Sequence, residues 1–286
     1  DVPELSAGAI SDLTGREHAD VMVLFGGSIL AGGDVLARAM RAGVADKHII
    51  VGGEGHTTPA LRERVHALYT DFDTADLPES RVFSGYLERK YGLKPDFIEC
   101  ESTNCGNNIT NLLRLIDEHG VPHSTVILSQ DASMQRRMDA GLRLHSPETR
   151  IINYAAYRAN VVVKDGSLAY SDDISGMWTI DRYTSLLISE IPRLRDDSNG
   201  YGPRGKGFIA HVDIPDEVEA AFGLLSSCGI GALRAGDSSA LRQSSPALIC
   251  CLTILTCARV LCAWVRIIII RKFHGVWRLF YGYTHT

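Results

Sequence analysis

The stretch VMVLFGGSILAGGDVLARAMRAGVADKHIIVGGEGH, residues 21–56, decides the fold. Val21 to Phe25 is an unbroken apolar run closed by Gly26-Gly27. A run this short, apolar at every position, suits a strand buried on both faces, as in a parallel sheet. Asp34 to Ala42 follows with Leu36, Ala39 and Met40 at helical spacing, and Gly43 stops it. His48 to Val51 is a second apolar run, again closed by paired glycines, Gly52-Gly53. One strand, one helix and one strand in 31 residues is the unit from which doubly wound sheets are built.

The pattern continues outward. Helical stretches are expected over Pro59–Asp71 and Pro78–Tyr91, and a third strand over Phe97–Cys100. After the Ser102-Thr103-Asn104 turn, Ile109, Leu112, Leu113 and Ile116 repeat at helical spacing as far as Gly120. A fourth strand is predicted at Thr125–Leu128, a helix from about Ser133 to Leu144, and a fifth strand at Arg150–Tyr154. Residues 156–175 read as an insertion or irregular crossover. Gly176 to Leu194 reads as a helix that Pro192 should bend or shorten. A Gly-, Asp- and Arg-rich loop then leads to a last strand at Phe208–Val212 and a helix at Pro215–Phe222. The fold class is therefore α/β, a Rossmann-like doubly wound and mainly parallel sheet with helices on both faces.

Residues 1–222 form this domain; residues 223–246 read as a Ser- and Gly-rich linker and residues 247–286 as an apolar, basic tail. Seven Lys/Arg against one acid give residues 223–286 a charge of +6, which leaves −11 for the remainder of a chain whose net charge is −5. An acidic domain lacks the basic footprint that nucleic-acid binding requires. Of seven cysteines, five lie beyond residue 222 and only Cys100 and Cys105 in the domain, which is neither a disulfide framework nor a zinc set. A reducing, cytoplasmic location is the simplest reading. The apolar residues 247–270 are long enough to span a bilayer, so a C-terminal membrane anchor is the alternative. Arg259 and Arg266 interrupt that stretch, and a central Arg costs roughly 2.5–3.5 kcal/mol on insertion scales, which favours a poorly packing end instead.

In doubly wound sheets, ligands bind beyond the carboxyl ends of the strands, near the point where strand order reverses. Four turns place unusual residues there. Gly26-Gly27-Ser28 lets the backbone approach a ligand closely, though it is not a G-x-G-x-x-G fingerprint. Gly52-Gly53-Glu54-Gly55-His56 supplies Glu54 as a candidate for ribose hydroxyls and His56 as a titrating group. Glu101-Ser102-Thr103-Asn104 with Asn108 joins a strand end to a helix start, where free amides favour an acceptor. Gln130-Asp131 with Met134, Arg136 and Arg137 adds an amide, a carboxylate and two forks suited to phosphate or carboxylate. Turns, helix caps and surface charges explain any one of these residues equally well. No nucleophile elbow, H-E-x-x-H or other metal-binding motif is present.

These residues carry a resemblance. Ser102-Thr103-Asn104-Cys105-Gly106, Gln130-Asp131 followed by Met134-Gln135-Arg136-Arg137, and the run from Ile191 to Gly205 continuing into His211-Val212-Asp213 resemble the YdcF family, within the wider SanA- and ElyC-like group, over residues 20–222. The resemblance implies a Rossmann-like fold and a pocket associated with S-adenosylmethionine. Members of the wider group are linked to cell-envelope phenotypes. The family's usual Gly-Glu-Asn is replaced here by Gly106-Asn107-Asn108. On this basis the chain is expected to bind a nucleotide-like small molecule, S-adenosylmethionine first, as an enzyme with Glu101, Asp131 or His56 doing acid–base work. Two alternatives are a non-catalytic sensing module and a hydrolase or transferase acting on a phosphorylated metabolite. In the Arg193–Gly207 loop, the charges are expected to lock the loop in place, Arg195 or Arg204 pairing with Asp196 or Asp197. A pocket role for Arg204 is the alternative.

Overall fold

In the computed structural model, residues 4–165, 167–227 and Val260 are described. The first strand, β1 (Ala19–Phe25), is preceded by a short helix, α1 (Ala7–Thr14), that the apolar pattern had not suggested. Ser6 caps it by accepting from the Ala9 amide, and Gly15 ends it at φ 74°. There follow α2 (Ala31–Ala42), β2 (Ala45–Val51), α3 (Thr58–Leu68), α4 (Glu79–Tyr91) and β3 (Phe97–Glu99). The second half runs through α5 (Cys105–Glu118), β4 (Thr125–Ser129), α6 (Gln135–His145) and β5 (Arg150–Asn153).

These five strands form one parallel sheet in the order β3-β2-β1-β4-β5, with Val21 opposite both Lys47 and Val126. All seven residues of β1 are buried, because helices cover both faces. Its side chains alternate accordingly. Met22 and Leu24 pack with Leu36, Leu61 and Phe83 of α2, α3 and α4, whereas Val21, Val23 and Phe25 pack with Ile109 and Leu112 of α5 and Met138 of α6.

The segment read as irregular is a two-stranded antiparallel hairpin, β6 (Val161–Lys164) and β7 (Ser167–Tyr170). It packs with α7 (Ile180–Leu194) and α8 (Asp216–Ser227) in a further cluster around Tyr183, Leu187 and Val218. Pro192 lies two residues before the end of α7, where the helix stops at Leu194. Phe208–Val212 is not a strand. The Phe208 and Ile209 amides both donate to the Tyr201 carbonyl and Ala210 donates to Ala140, so the segment closes back on its own loop and on α6. Asp196 locks that loop by accepting from the Arg204 amide at 2.6 Å, by a hydrogen bond with His211 Nδ1 at 2.7 Å and by an ion pair with Arg204 Nε at 3.3 Å. Arg195 pairs instead with Glu219, which ties the loop to α8.

Helix α8 extends to Ser227, five residues into the expected linker. The rest of that linker and the apolar 247–270 stretch lie outside the described residues, apart from Val260, which packs against the Tyr183 cluster. Among the described residues, no helix is long and apolar enough to cross a membrane.

Candidate functional site

The chain leaves β1 for β2 and β3 on one side, then returns to place β4 and β5 on the other. The direction reverses between β1 and β4, so the Gly26-Gly27 turn and the Gln130-Asp131 turn flank the switch point where a crevice opens. A pocket of about 110 Å³ lies there. Gly26 and Gly27 line it from β1, Gly52, Gly53 and Glu54 from β2, and Gln130 and Met134 from β4 and the turn after it. The start of α5 supplies Ser102, Thr103, Asn104 and Asn108. Eleven of the expected residues thus converge on one pocket, from all four turns.

Glycine is required at two of these positions by close approach. A Cβ on Gly26 would collide with Glu79 Oε2, and one on Gly53 with the Ser102 carbonyl. The Gly53 amide donates to the Ser102 carbonyl and to Ser102 Oγ, each at 3.1 Å, which binds the second turn to the third. Asn104 caps α5 by accepting from the Asn107 amide at 3.0 Å. The Cys105 and Gly106 amides, one step nearer the helix start, have no intrahelical partner.

The pocket wall holds a residue that the sequence reading did not single out, Glu79. It opens α4, where its amide donates to the Gly53 carbonyl at 2.8 Å while Ser80 donates to Gly52 at 2.9 Å. Its Oε1 accepts from Thr58 Oγ1 at 2.8 Å and more weakly from Thr57 at 3.4 Å. The residue is only 8% exposed. Burial pushes its carboxyl up to about 7, although the threonine hydroxyls and Arg62 pull the other way. Asp131, equally buried, packs against Gly27, whose Cβ would stand 3.1 Å from Asp131 Oδ2. Burial, and then the charge of Glu79, lift Asp131 to about 7 as well. The charge of Glu79 thus reaches Asp131 across the Gly26-Gly27 turn. Beside them the Gln130 side chain is 1% exposed; its Oε1 accepts from the Asp131 amide, and its Nε2 has no partner among the described residues.

The other expected residues sit elsewhere. Glu101 is exposed and pairs with Arg114 at 2.9 Å, while Glu99, two residues earlier, turns inward to accept from the Glu101 and Ser102 amides. His56 is exposed and does not line the pocket. Ser28 is fully buried with an unpartnered Oγ, and its carbonyl accepts from Arg64. Glu54 reaches the rim and pairs with Arg62 at 3.1 Å.

Neither arginine lines this pocket. Arg137 makes a two-pronged pair with Glu190 of α7, Nε at 2.6 Å and Nη2 at 3.0 Å. Burial alone would lower its pKa, but Glu190 carries it above the usual range. Burial pulls Arg136 down to about 10, against the charge of Asp139. No described Lys or Arg lines the pocket, so its character is acidic. Among the described residues, no three His, Cys, Asp or Glu side chains are grouped to hold a metal ion.

The arrangement combines the buried Glu79 carboxyl, an orphaned amide donor and a helix start around a space the size of a small functional group, with the buried Asp131 carboxyl packed behind Gly27. No known family model matches the chain.

Proposed function

We propose that this chain is a small-molecule enzyme that performs acid–base chemistry at the Glu79–Asp131 pair, with a nucleotide-like ligand, S-adenosylmethionine first among them. The observation that carries the reading is the pair itself, two buried carboxyls both raised to about 7 beside a pocket. At neutral pH such a pair holds about one proton, so one member donates while the other accepts. Gln130 Nε2 stands ready to donate to an oxygen on the bound molecule.

Charge favours a cationic or neutral ligand. A phosphorylated metabolite would meet the Glu54 and Glu79 carboxyls and no lining cation, and Arg137 is committed to Glu190. S-adenosylmethionine fits this character, since its sulfonium and ammonium groups are positive. Glu79 and Asp131 would hold the positive groups, and Gln130 with the α5 start would meet the carboxylate. When bound, it supplies an activated methyl group. Glu79 or Asp131 would remove the proton from the atom that reacts. The unpaired thiols Cys100 and Cys105 support a reducing, cytoplasmic setting.

Isothermal titration with S-adenosylmethionine tests the ligand. The wild type should give saturable heat, and Glu79→Gln should weaken binding by about tenfold, equal to 1.4 kcal/mol. Absence of heat up to about 1 mM, a Kd limit of about −4 kcal/mol, removes this ligand. Incubation with S-adenosylmethionine and cell extract, read by mass spectrometry for the demethylated product, tests turnover. A ligand recovered unchanged would assign the pocket to a sensing module.

A further inference from the structure

A larger cavity of about 540 Å³ adjoins the strand-end pocket, and Asn104 and Cys105 line both. Its volume falls within the roughly 300–1,000 Å³ typical of small-molecule sites, which the smaller pocket does not reach. We infer that this cavity is a second subsite, built for an uncharged planar aromatic or heteroaromatic ring whose polar extension reaches the carboxyl pair. The inference rests on the proposed function for that extension, but the cavity itself is argued from its own walls.

One wall is aromatic. Tyr201 and Phe208 meet edge to face, with ring centroids 5.4 Å apart and planes inclined at 69°. Phe208 is 57% exposed, an unusual state for a phenylalanine in a segment otherwise anchored at Ile209 and Val212. An exposed ring on a cavity wall offers a stacking face. The opposite side is helical, from α5 and α6, and carries Gly106 and Gly141, where a flat group can lie close to backbone.

Arg137 and His145 are the basic residues of the cavity lining. Arg137 is paired with Glu190 of α7, which is not among the lining residues, and both are largely buried. Asn107 presents an amide whose Oδ1 already accepts from Asn104 Nδ2 at 2.6 Å, which orients the amide. Burial pushes the Cys105 thiol up, so it stays neutral at the junction. An anion would compete with Glu190 for Arg137, whereas the aromatic face and the glycines accept a ring with hydrogen-bonding edges.

That ring could belong to a nucleoside or to a separate aromatic co-substrate. Adenosine and p-cresol, titrated into the full chain and followed by isothermal titration, distinguish the two. Saturable adenosine binding assigns the subsite to a nucleoside; p-cresol binding without adenosine binding assigns it to the co-substrate. In either case Phe208→Ala should weaken the binding probe by about tenfold with an unchanged Tm, because the ring is exposed. Thr110→Phe, on the exposed α5 wall, should block the cavity to the same degree. The subsite is overturned if neither probe binds, or if both variants, folded, bind as the wild type does. Binding of S-adenosylmethionine that responds to Glu79→Gln but to neither cavity variant would remove this subsite while sparing the proposed function.

Discussion

A carboxyl held at 8% exposure between two threonine hydroxyls and a glycine backbone has lost most of its hydration, and two hydrogen bonds do not replace it. The consequence for Glu79 and Asp131 reaches beyond chemistry to stability. Both have folded pKa values near 7, above the ordinary carboxyl range they regain on unfolding. Folding therefore favours their protonated forms. The stability they contribute is complete below about pH 4 and is lost as pH rises through about 7. Glu79→Gln keeps an oxygen to accept from Thr58 but cannot ionise. Urea unfolding of that variant should show a flatter decline between about pH 5 and pH 8 than the wild type, and an equal decline would exclude Glu79 as its source. The residues visible in the sequence were those with special backbone demands, the paired glycines and Asn104, because such demands are written locally. Glu79 was hidden for the opposite reason. It is an ordinary acid at an ordinary helix start, and only the crossover from β2 to β3 brings it to the β1 turn. Choosing Glu101 over Glu99 reflects the same limit, since the chain bends after β3 and strand alternation ends there.

At the scale of elements, caps and stop signals placed the central strands and helices to within a few residues. The hairpin was missed although its signal was present. Asp165-Gly166 between apolar runs is a two-residue turn signature, and Asp165 adopts φ 53° as such a turn requires. Phe208–Val212 misled because an apolar run beside a glycine-rich loop packs without a sheet partner, its amides going to Tyr201 and Ala140. The start of helix α5 borders both the pocket and the cavity. Removing its cap should be felt at both. Asn104→Ala should cost about 1 kcal/mol of stability by urea unfolding. It also releases Asn107, so binding at the cavity should weaken by more than that loss of stability alone explains. Unchanged stability would mean that water replaces the cap.

At the scale of the molecule, alternation of strands and helices revealed the class but not the order β3-β2-β1-β4-β5, which depends on where the chain reverses. That reversal sets Glu79, from the first half, against Asp131, from the second, across the Gly26-Gly27 turn. In the proposed function the two carboxyls, one from each half of the sheet, both hold protons near pH 7. A positive group entering the pocket lowers the pKa of both carboxyls, so it must expel what they store. Binding a cation near pH 7 should thus release close to one proton, on the order of the single charge the pair gives up. Titrations in buffers of different ionisation enthalpy would read this as a buffer-dependent heat, reduced in Glu79→Gln, where only Asp131 remains to give up a proton, and falling away once the pH drops below the lowered pKa values of the bound state. A neutral ligand would leave the buffers indistinguishable. The acidity of the surrounding medium is in this sense a second ligand of the site, competing with the first for the same two oxygens.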